Sequence, residues 1–129
     1  MQTINHPVFI DTNILVYANL ALSPFHVQAT KQLQELAEQG IELWISRQTL
    51  REYLAAMTRR GDLTGQIPVA SVVADVRDFS TYFRLAEDNS LVTQRLLTLM
   101  ETIPIGGKQV HDANIVATML VYGIPQLLT

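Results

Sequence analysis

The chain has 129 residues, of which 48% are hydrophobic and 16% are charged, so it is expected to form one compact domain and not a disordered segment. Its formal net charge of −3 excludes a strong overall attraction for nucleic acid, so RNA or DNA binding would need locally clustered basic residues or a bound cation. The lack of cysteine excludes disulfides, thiolate nucleophiles and zinc–sulfur sites. No apolar run approaches membrane-spanning length, and we expect a cytoplasmic protein with no membrane contact.

Short apolar segments and helical patterns alternate in the first half of the chain. Residues 8–10 are continuously apolar and predict a buried parallel strand. Thr12 or Asn13 is expected to cap the helix that follows and ends near Asn19. The pattern then predicts a helix over 25–39 ended by Gly40, a strand over 41–45, and a helix over 47–60 capped by Ser46.

The alternation continues in the second half. After loop signals at Gly61 and residues 65–68, the pattern predicts helices over 69–79, 90–101 and 110–122 and strands over 82–86 and 126–128. The helix over 110–122 is apolar almost all round, so we expect it to be buried. Strands that alternate with helices imply right-handed crossovers. The predicted fold class is therefore α/β, with a central parallel sheet of about four strands flanked by helices.

Asp11 is the most informative single residue, because it directly follows the first predicted strand. In open α/β sheets, ligands bind at the carboxyl ends of the strands. A carboxylate flanked by Ile10 and Ile14 is costly to desolvate unless a metal, a cation or backbone N–H groups contact it. The residues leave two interpretations open: a ligand-binding acid, or a helix cap stabilised by backbone N–H groups.

Two further acids occupy informative positions. Asp112 lies in the first turn of an apolar helix, after a glycine-containing loop, where the helix dipole favours an anion. It is either a capping residue or a ligand-binding acid. Glu52 flanks the apolar stripe of its helix and is either a ligand or a surface charge paired with a nearby arginine. Hard divalent cations such as Mg²⁺ and Mn²⁺ prefer carboxylate oxygens, so the three acids together suggest a metal site.

Four pieces of the chain resemble the PIN-domain family in this order: Phe9–Leu15, Ser46–Glu52, His111–Ala117 and the apolar strand that ends at Thr129. The resemblance is strongest to the VapC-type toxins of bacterial and archaeal toxin–antitoxin pairs, and it extends over almost the whole chain. It implies a PIN-like three-layer sandwich and an endoribonuclease that depends on Mg²⁺ or Mn²⁺. It also implies a homodimer and an antitoxin protein that blocks the site.

The same resemblance assigns roles to individual residues. Asp11, Glu52 and Asp112 are implied to be the catalytic, metal-coordinating acids. Thr12 and Asn13 are implied to shape the site. In this family the last buried strand normally continues into a polar stretch with a fourth acid. Here the sequence stops at Thr129, so we expect a single PIN-like domain over residues 1–129 that is truncated at its C-terminus and lacks this acid.

Basic residues near the acids are candidates for contacts with the RNA backbone, of which Arg51 and Lys108 are preferred. One alternative function is a catalytically impaired PIN-like domain that binds RNA or an antitoxin without cleavage, which the missing fourth acid favours. Another is a phospho-receiver domain of similar length. Receivers need an early acidic pair and an aspartate after the third strand, whereas the predicted strand over 82–86 leads only to Glu87 and Asp88.

Overall fold

The computed structural model describes residues 6–59, 64–65 and 67–129. In these residues the strands are β1 (Val8–Ile10), β2 (Leu43–Ser46), β3 (Arg84–Ala86) and β4 (Gln126–Leu128). The helices are α1 (Thr12–Asn19), α2 (His26–Glu38), α3 (Arg47–Thr58), α4 (Val69–Tyr82), α5 (Ser90–Thr102) and α6 (Gln109–Tyr122). The strands form one parallel sheet in the order β3-β2-β1-β4, which confirms the predicted α/β class.

The sheet lies between two layers of helices. Successive side chains of a strand point to opposite faces, and this alternation separates the core into two parts. Val8 and Ile10 of β1 belong to a cluster that also contains buried residues of α1, α2, α3 and α4. Phe9, between them, is fully buried but lies outside that cluster. On the same face as Phe9, Trp44 of β2 contacts the ring of Tyr122 in α6. This arrangement is the predicted three-layer sandwich.

The predicted element bounds in the described residues agree with the structure to within three residues, and the largest difference is at the junction of α4 and β3. Tyr82 was expected to begin that strand, whereas it is the last residue of α4 and is largely exposed. The helix continues for three residues after Phe79 to its C-cap Phe83, whose ring contacts that of Phe79, and Phe79 also packs against Tyr53. The predicted helix end at Arg60 and the loop residues Gly61 and Gln66 lie outside the described residues.

The expectation that the last helix is buried was wrong. In α6 only Ala117 and Thr118 are buried, whereas Val116 and Leu120 are about half exposed. One side of the helix packs against α5 and the sheet. The other side is also apolar, but the described residues of this chain do not cover it. Gly123 ends the helix in the left-handed conformation (φ 67°), as predicted. Among the described residues, no helix is both long and apolar enough to cross a membrane.

Candidate active site

Asp11 lies at the carboxyl edge of the sheet, on a strand flanked by β2 and β4. Its backbone N–H donates to the carbonyl of Leu128 at 3.0 Å, which continues the pairing of β1 with β4. Its Oδ1 accepts a hydrogen bond from the backbone N–H of Thr12 at 2.8 Å. Asp11 is therefore the N-cap of α1, and the expectation that Thr12 or Asn13 is the cap was wrong. In the described part of the chain Oδ2 has no hydrogen-bond partner, so the cap leaves one oxygen for a ligand.

Helix α3 begins at the neighbouring strand and carries Glu52. As predicted, Ser46 caps it, in a reciprocal pair of hydrogen bonds with Thr49. Glu52 is exposed one and a half turns later. The ion pairs of the described residues are Lys31–Glu35, Arg47–Glu87 and Arg84–Glu42, so Glu52 does not form the surface ion pair that the sequence allowed.

Asp112 lies in the first turn of α6, as predicted, and is exposed. It borders a mainly apolar groove of about 330 Å³ whose other walls include Leu99, Ile103 and Val116. The adjacent residue, His111, instead shares a pocket of about 270 Å³ with Glu52. The structure thus brings α3 and α6 together near the acids, but Glu52 and Asp112 line different pockets.

The three acids do not form a ready-made metal site. Across residues 6–59, 64–65 and 67–129, no group of three or more His, Asp or Glu side chains is placed to hold an ion. The donor chemistry still suits Mg²⁺ or Mn²⁺, because all three side chains offer carboxylate oxygens and two of them are exposed. Binding such an ion would require the carboxylates of Glu52 and Asp112 to turn towards Asp11.

The remaining predicted site residues lie at the same edge of the sheet. Thr12 is buried in the first turn of α1, and Asn13 beside it is exposed. Arg51 lines the pocket that holds Glu52 and His111. Lys108 is exposed immediately before α6. Both basic residues are therefore accessible to a ligand at the carboxyl edge.

Two polar residues that the sequence did not single out connect the helices of the acids. The side-chain Nε2 of Gln48 donates to the carbonyl of His111 at 3.0 Å, and Asn114 Nδ2 donates to Gln48 Oε1, also at 3.0 Å. Gln48 is only 7% exposed, so these bonds are largely shielded from water. A sequence signal did exist, since Gln48 precedes Glu52 by four residues and so lies on the same helical face.

The acids that follow β3 are structural partners of this edge and not merely solubilising charges. Arg47 donates two hydrogen bonds to Glu87, at 2.7 and 2.9 Å, and the hydroxyl of Tyr122 donates to the Glu87 carbonyl. The hydrogen bond from Arg47 lowers the pKa of the Glu87 carboxyl. The pair therefore contributes to stability at neutral pH and loses that contribution as the pH falls through the folded-state pKa. Because both groups are exposed, the effect is small.

A parallel sheet between two layers of helices, with acids at its carboxyl edge, defines a class of α/β domain. Comparison of the sequence with family models identifies the family. The model of the PIN domain family matches residues 8–129, so the chain belongs to the PIN-domain family. No curated protein matches the chain significantly by sequence. The family membership agrees with the resemblance found in the three segments that contain Asp11, Glu52 and Asp112.

Several solved structures share this fold. VapBC2 from Rickettsia felis, bound to a DNA fragment from their promoter, superimposes with a TM-score of 0.69 at 17% identity, covering 95% of this chain and 85% of that one. VapC20 from Mycobacterium tuberculosis, a toxin that cleaves the sarcin–ricin loop, superimposes with a TM-score of 0.65 at 20% identity. The match covers 93% of this chain and 86% of that one. DNA-bound VapBC from Salmonella typhimurium superimposes with a TM-score of 0.59 at 15% identity. The match covers 92% of this chain and 83% of that one. At these identities the likeness establishes the fold.

Proposed function

We propose that this PIN domain is a metal-dependent endoribonuclease and the toxin of a type II toxin–antitoxin pair. The observation that carries the proposal is that Asp11, Glu52 and Asp112 come from the sheet and from one helix of each flanking layer, at elements that meet at one edge. The family membership and the fold shared with an RNA-cleaving VapC support it.

Each residue has a distinct task in this proposal. Asp11 offers the oxygen that its capping bond leaves free, and the exposed carboxylates of Glu52 and Asp112 complete the ligand set. A bound divalent ion supplies an activated water and stabilises charge on the phosphodiester. Arg51 and Lys108 hold the RNA backbone, offsetting repulsion between the acids and the phosphates. Thr12 and Asn13, which directly follow Asp11, shape the site around it.

We predict that cleavage of RNA depends on a divalent cation. Purified protein incubated with an RNA substrate and Mn²⁺ or Mg²⁺ should produce discrete fragments, and excess EDTA should abolish them. Adding Mn²⁺ back should restore the same fragments, which distinguishes the protein from a contaminating metal-independent ribonuclease. Fragmentation that continues unchanged in EDTA but is lost in the Asp11→Asn protein prepared in parallel would contradict the proposal, because it would show that this site cleaves RNA without a metal.

A second candidate function is a PIN-like domain that binds RNA or an antitoxin without cutting. The lack of a ready-made three-acid cluster among the described residues favours it. The two functions differ in one measurement, since the second requires tight partner or RNA binding with no cleavage in Mn²⁺. Gel-shift and cleavage assays on the same RNA would separate them.

An antitoxin is the protein partner in this proposal. Two of the solved structures of similar fold are VapBC assemblies bound to DNA. A small open reading frame upstream that encodes a DNA-binding protein would support the pairing. Co-expression of the two proteins should then yield a stable complex in which RNA cleavage is inhibited.

The apolar surface of α5 and α6 is the proposed homodimer interface. Leu97, Ile103, Val116 and Leu120 are each about half exposed, and exposed apolar patches are common at protein–protein interfaces. Helix α4 also has exposed apolar residues, Val69 and Val73. We favour α5 and α6 because these helices share two grooves with exposed apolar residues: Ile103 and Val116 border one, and Leu91 and Leu120 border the other.

We predict that Leu120→Glu weakens the dimer by about 100-fold or more, because an unpaired charge buried in an apolar interface costs about 3 kcal/mol. Analytical ultracentrifugation over a range of concentrations measures the change. Leu22→Glu is the matched control, since Leu22 is also exposed but lies in the loop after α1. Equal dissociation constants for the two variants would exclude α6 from the interface.

A further inference from the structure

We infer that Gln48 and Asn114 are positioning residues that set the separation of Glu52 and Asp112. This inference rests on the proposed nuclease function. It concerns the pair of side-chain hydrogen bonds between α3 and α6, which we call the Gln48–Asn114 clasp. The clasp joins residues 63 and 66 positions apart in the sequence, and neither residue is among the proposed metal ligands.

The location of the clasp gives it control over both acids. Gln48 precedes Glu52 by four residues on the same face of α3, a separation of about 6 Å along the helix axis. Its acceptor is the carbonyl of His111, the residue directly before Asp112. A shift of the first turn of α6 relative to α3 would therefore move Asp112 relative to Glu52 by a similar amount.

The clasp joins α6 to α3, whereas the other contacts of α6 hold it to α5 and to the sheet. The helix buries only Ala117 and Thr118, both more than one turn beyond Asp112. Near the other end of α6, Tyr122 contacts Trp44 and the backbone of Glu87. At the end that carries Asp112, the bonds to Gln48 are the short polar contacts to α3, and Asn114 Nδ2 makes an additional longer contact, 3.5 Å, with Asp88.

The chemistry of the amide suits this role. The Gln48 side chain both donates and accepts, so one residue satisfies the carbonyl of His111 and the amide of Asn114 at once. A hydrophobic side chain of the same length would fill the space but would remove both hydrogen bonds that join the two helices. The clasp thus specifies the position of the α6 first turn rather than simply filling volume.

The test compares the Mn²⁺ affinity of wild-type protein, Gln48→Met and Asn114→Ala by isothermal titration calorimetry. Supporting residues around metal ligands typically change metal affinity by 10–100-fold, so we expect each variant to bind Mn²⁺ about 10-fold or more weakly. The double variant should be little worse than Gln48→Met alone, because Gln48→Met already removes both bonds of the clasp, of which Asn114→Ala removes one. The Mn²⁺ concentration for half-maximal RNA cleavage should rise by the same factor, with near-normal cleavage at saturation.

A matched control is Gln34→Ala, which removes an exposed glutamine bonded to Glu38 within its own helix. It should bind Mn²⁺ like the wild type. Unfolded protein in a sample would lower the number of Mn²⁺ ions bound per chain without changing the affinity of the folded molecules, and thermal unfolding identifies such a sample. If Gln48→Met does not fold, Asn114→Ala tests the clasp. If folded Gln48→Met and Asn114→Ala both bind Mn²⁺ as tightly as the wild type, the inference about the clasp is overturned, whereas the proposed nuclease function is not. A wild-type protein that neither binds Mn²⁺ nor cleaves RNA would overturn the proposed function and the inference with it.

Discussion

Asp11→Asn is expected to reduce RNA cleavage by about 100-fold or more while leaving the fold intact. The carboxylate is the proposed ligand nearest the sheet, and loss of a direct ligand should exceed the 10–100-fold effects typical of residues that only support ligands. Stability should change little because asparagine is as good an N-cap as aspartate and can keep the bond to the Thr12 N–H. Initial cleavage rates at saturating Mn²⁺, together with thermal unfolding, measure the two quantities.

The control for Asp11→Asn is Asp78→Asn, the same chemical change at an exposed position on α4. It should cleave RNA at the wild-type rate. Asp112→Asn should behave like Asp11→Asn, and so should Glu52→Gln if all three acids act on one ion. Wild-type cleavage by a well-folded Asp11→Asn protein would refute the nuclease proposal, whereas loss in Asp11→Asn but not in Asp112→Asn would remove α6 from the site.

Tyr53→Ala is expected to lower the free energy of unfolding by about 3–5 kcal/mol, the range for removal of a large buried aromatic side chain. Tyr53 is fully buried in α3, and its ring packs edge-on against Phe79 at a centroid distance of 4.9 Å. Because Glu52 is its neighbour, the same contact anchors the helix that carries a proposed ligand. Urea denaturation followed by circular dichroism gives the change, and a loss below about 1 kcal/mol would show that the site repacks.

Tyr53→Phe separates packing from hydrogen bonding at this position. It keeps the ring but removes the bond from the hydroxyl to Asp75, 2.9 Å long, and should cost about 1 kcal/mol. Burial, and then the bond to Asp75, raise the pKa of the Tyr53 hydroxyl, so the folded chain keeps it protonated. Its contribution to stability is complete below the unfolded-state pKa of about 10 and is lost as the pH rises above that value. The Tyr53→Phe protein should lack this alkaline component.

Local pattern predicted much of the fold because the signals are short-range. The continuous apolar run before Asp11 indicated a parallel strand, the cap at Ser46 indicated the start of α3, and Gly123 indicated the end of α6. All three are as expected. The pattern failed at Tyr82, which belongs to α4 and not to β3, so the helix extends three residues beyond its predicted end.

The candidate site was predictable in its residue types but not in its geometry. Asp11 follows a strand and Asp112 begins a helix, and both facts can be inferred from neighbouring residues. The capping role of Asp11 and its spare oxygen depend on one backbone bond to Thr12. The exposure of α6 was not foreseen, because hydropathy reports how apolar a helix is and not how much of it another element covers.

Periodicity, turns and caps therefore suffice to establish the order of the elements, the α/β class and the edge of the sheet at which the acids lie. These properties arise from interactions within a few residues, and parallel strands joined by helices admit few arrangements. Which side chains meet across that edge depends on packing between layers. Gln48 reaches His111 and Asn114 across more than 60 positions because helices on opposite faces of the sheet converge there, a contact that no local pattern encodes.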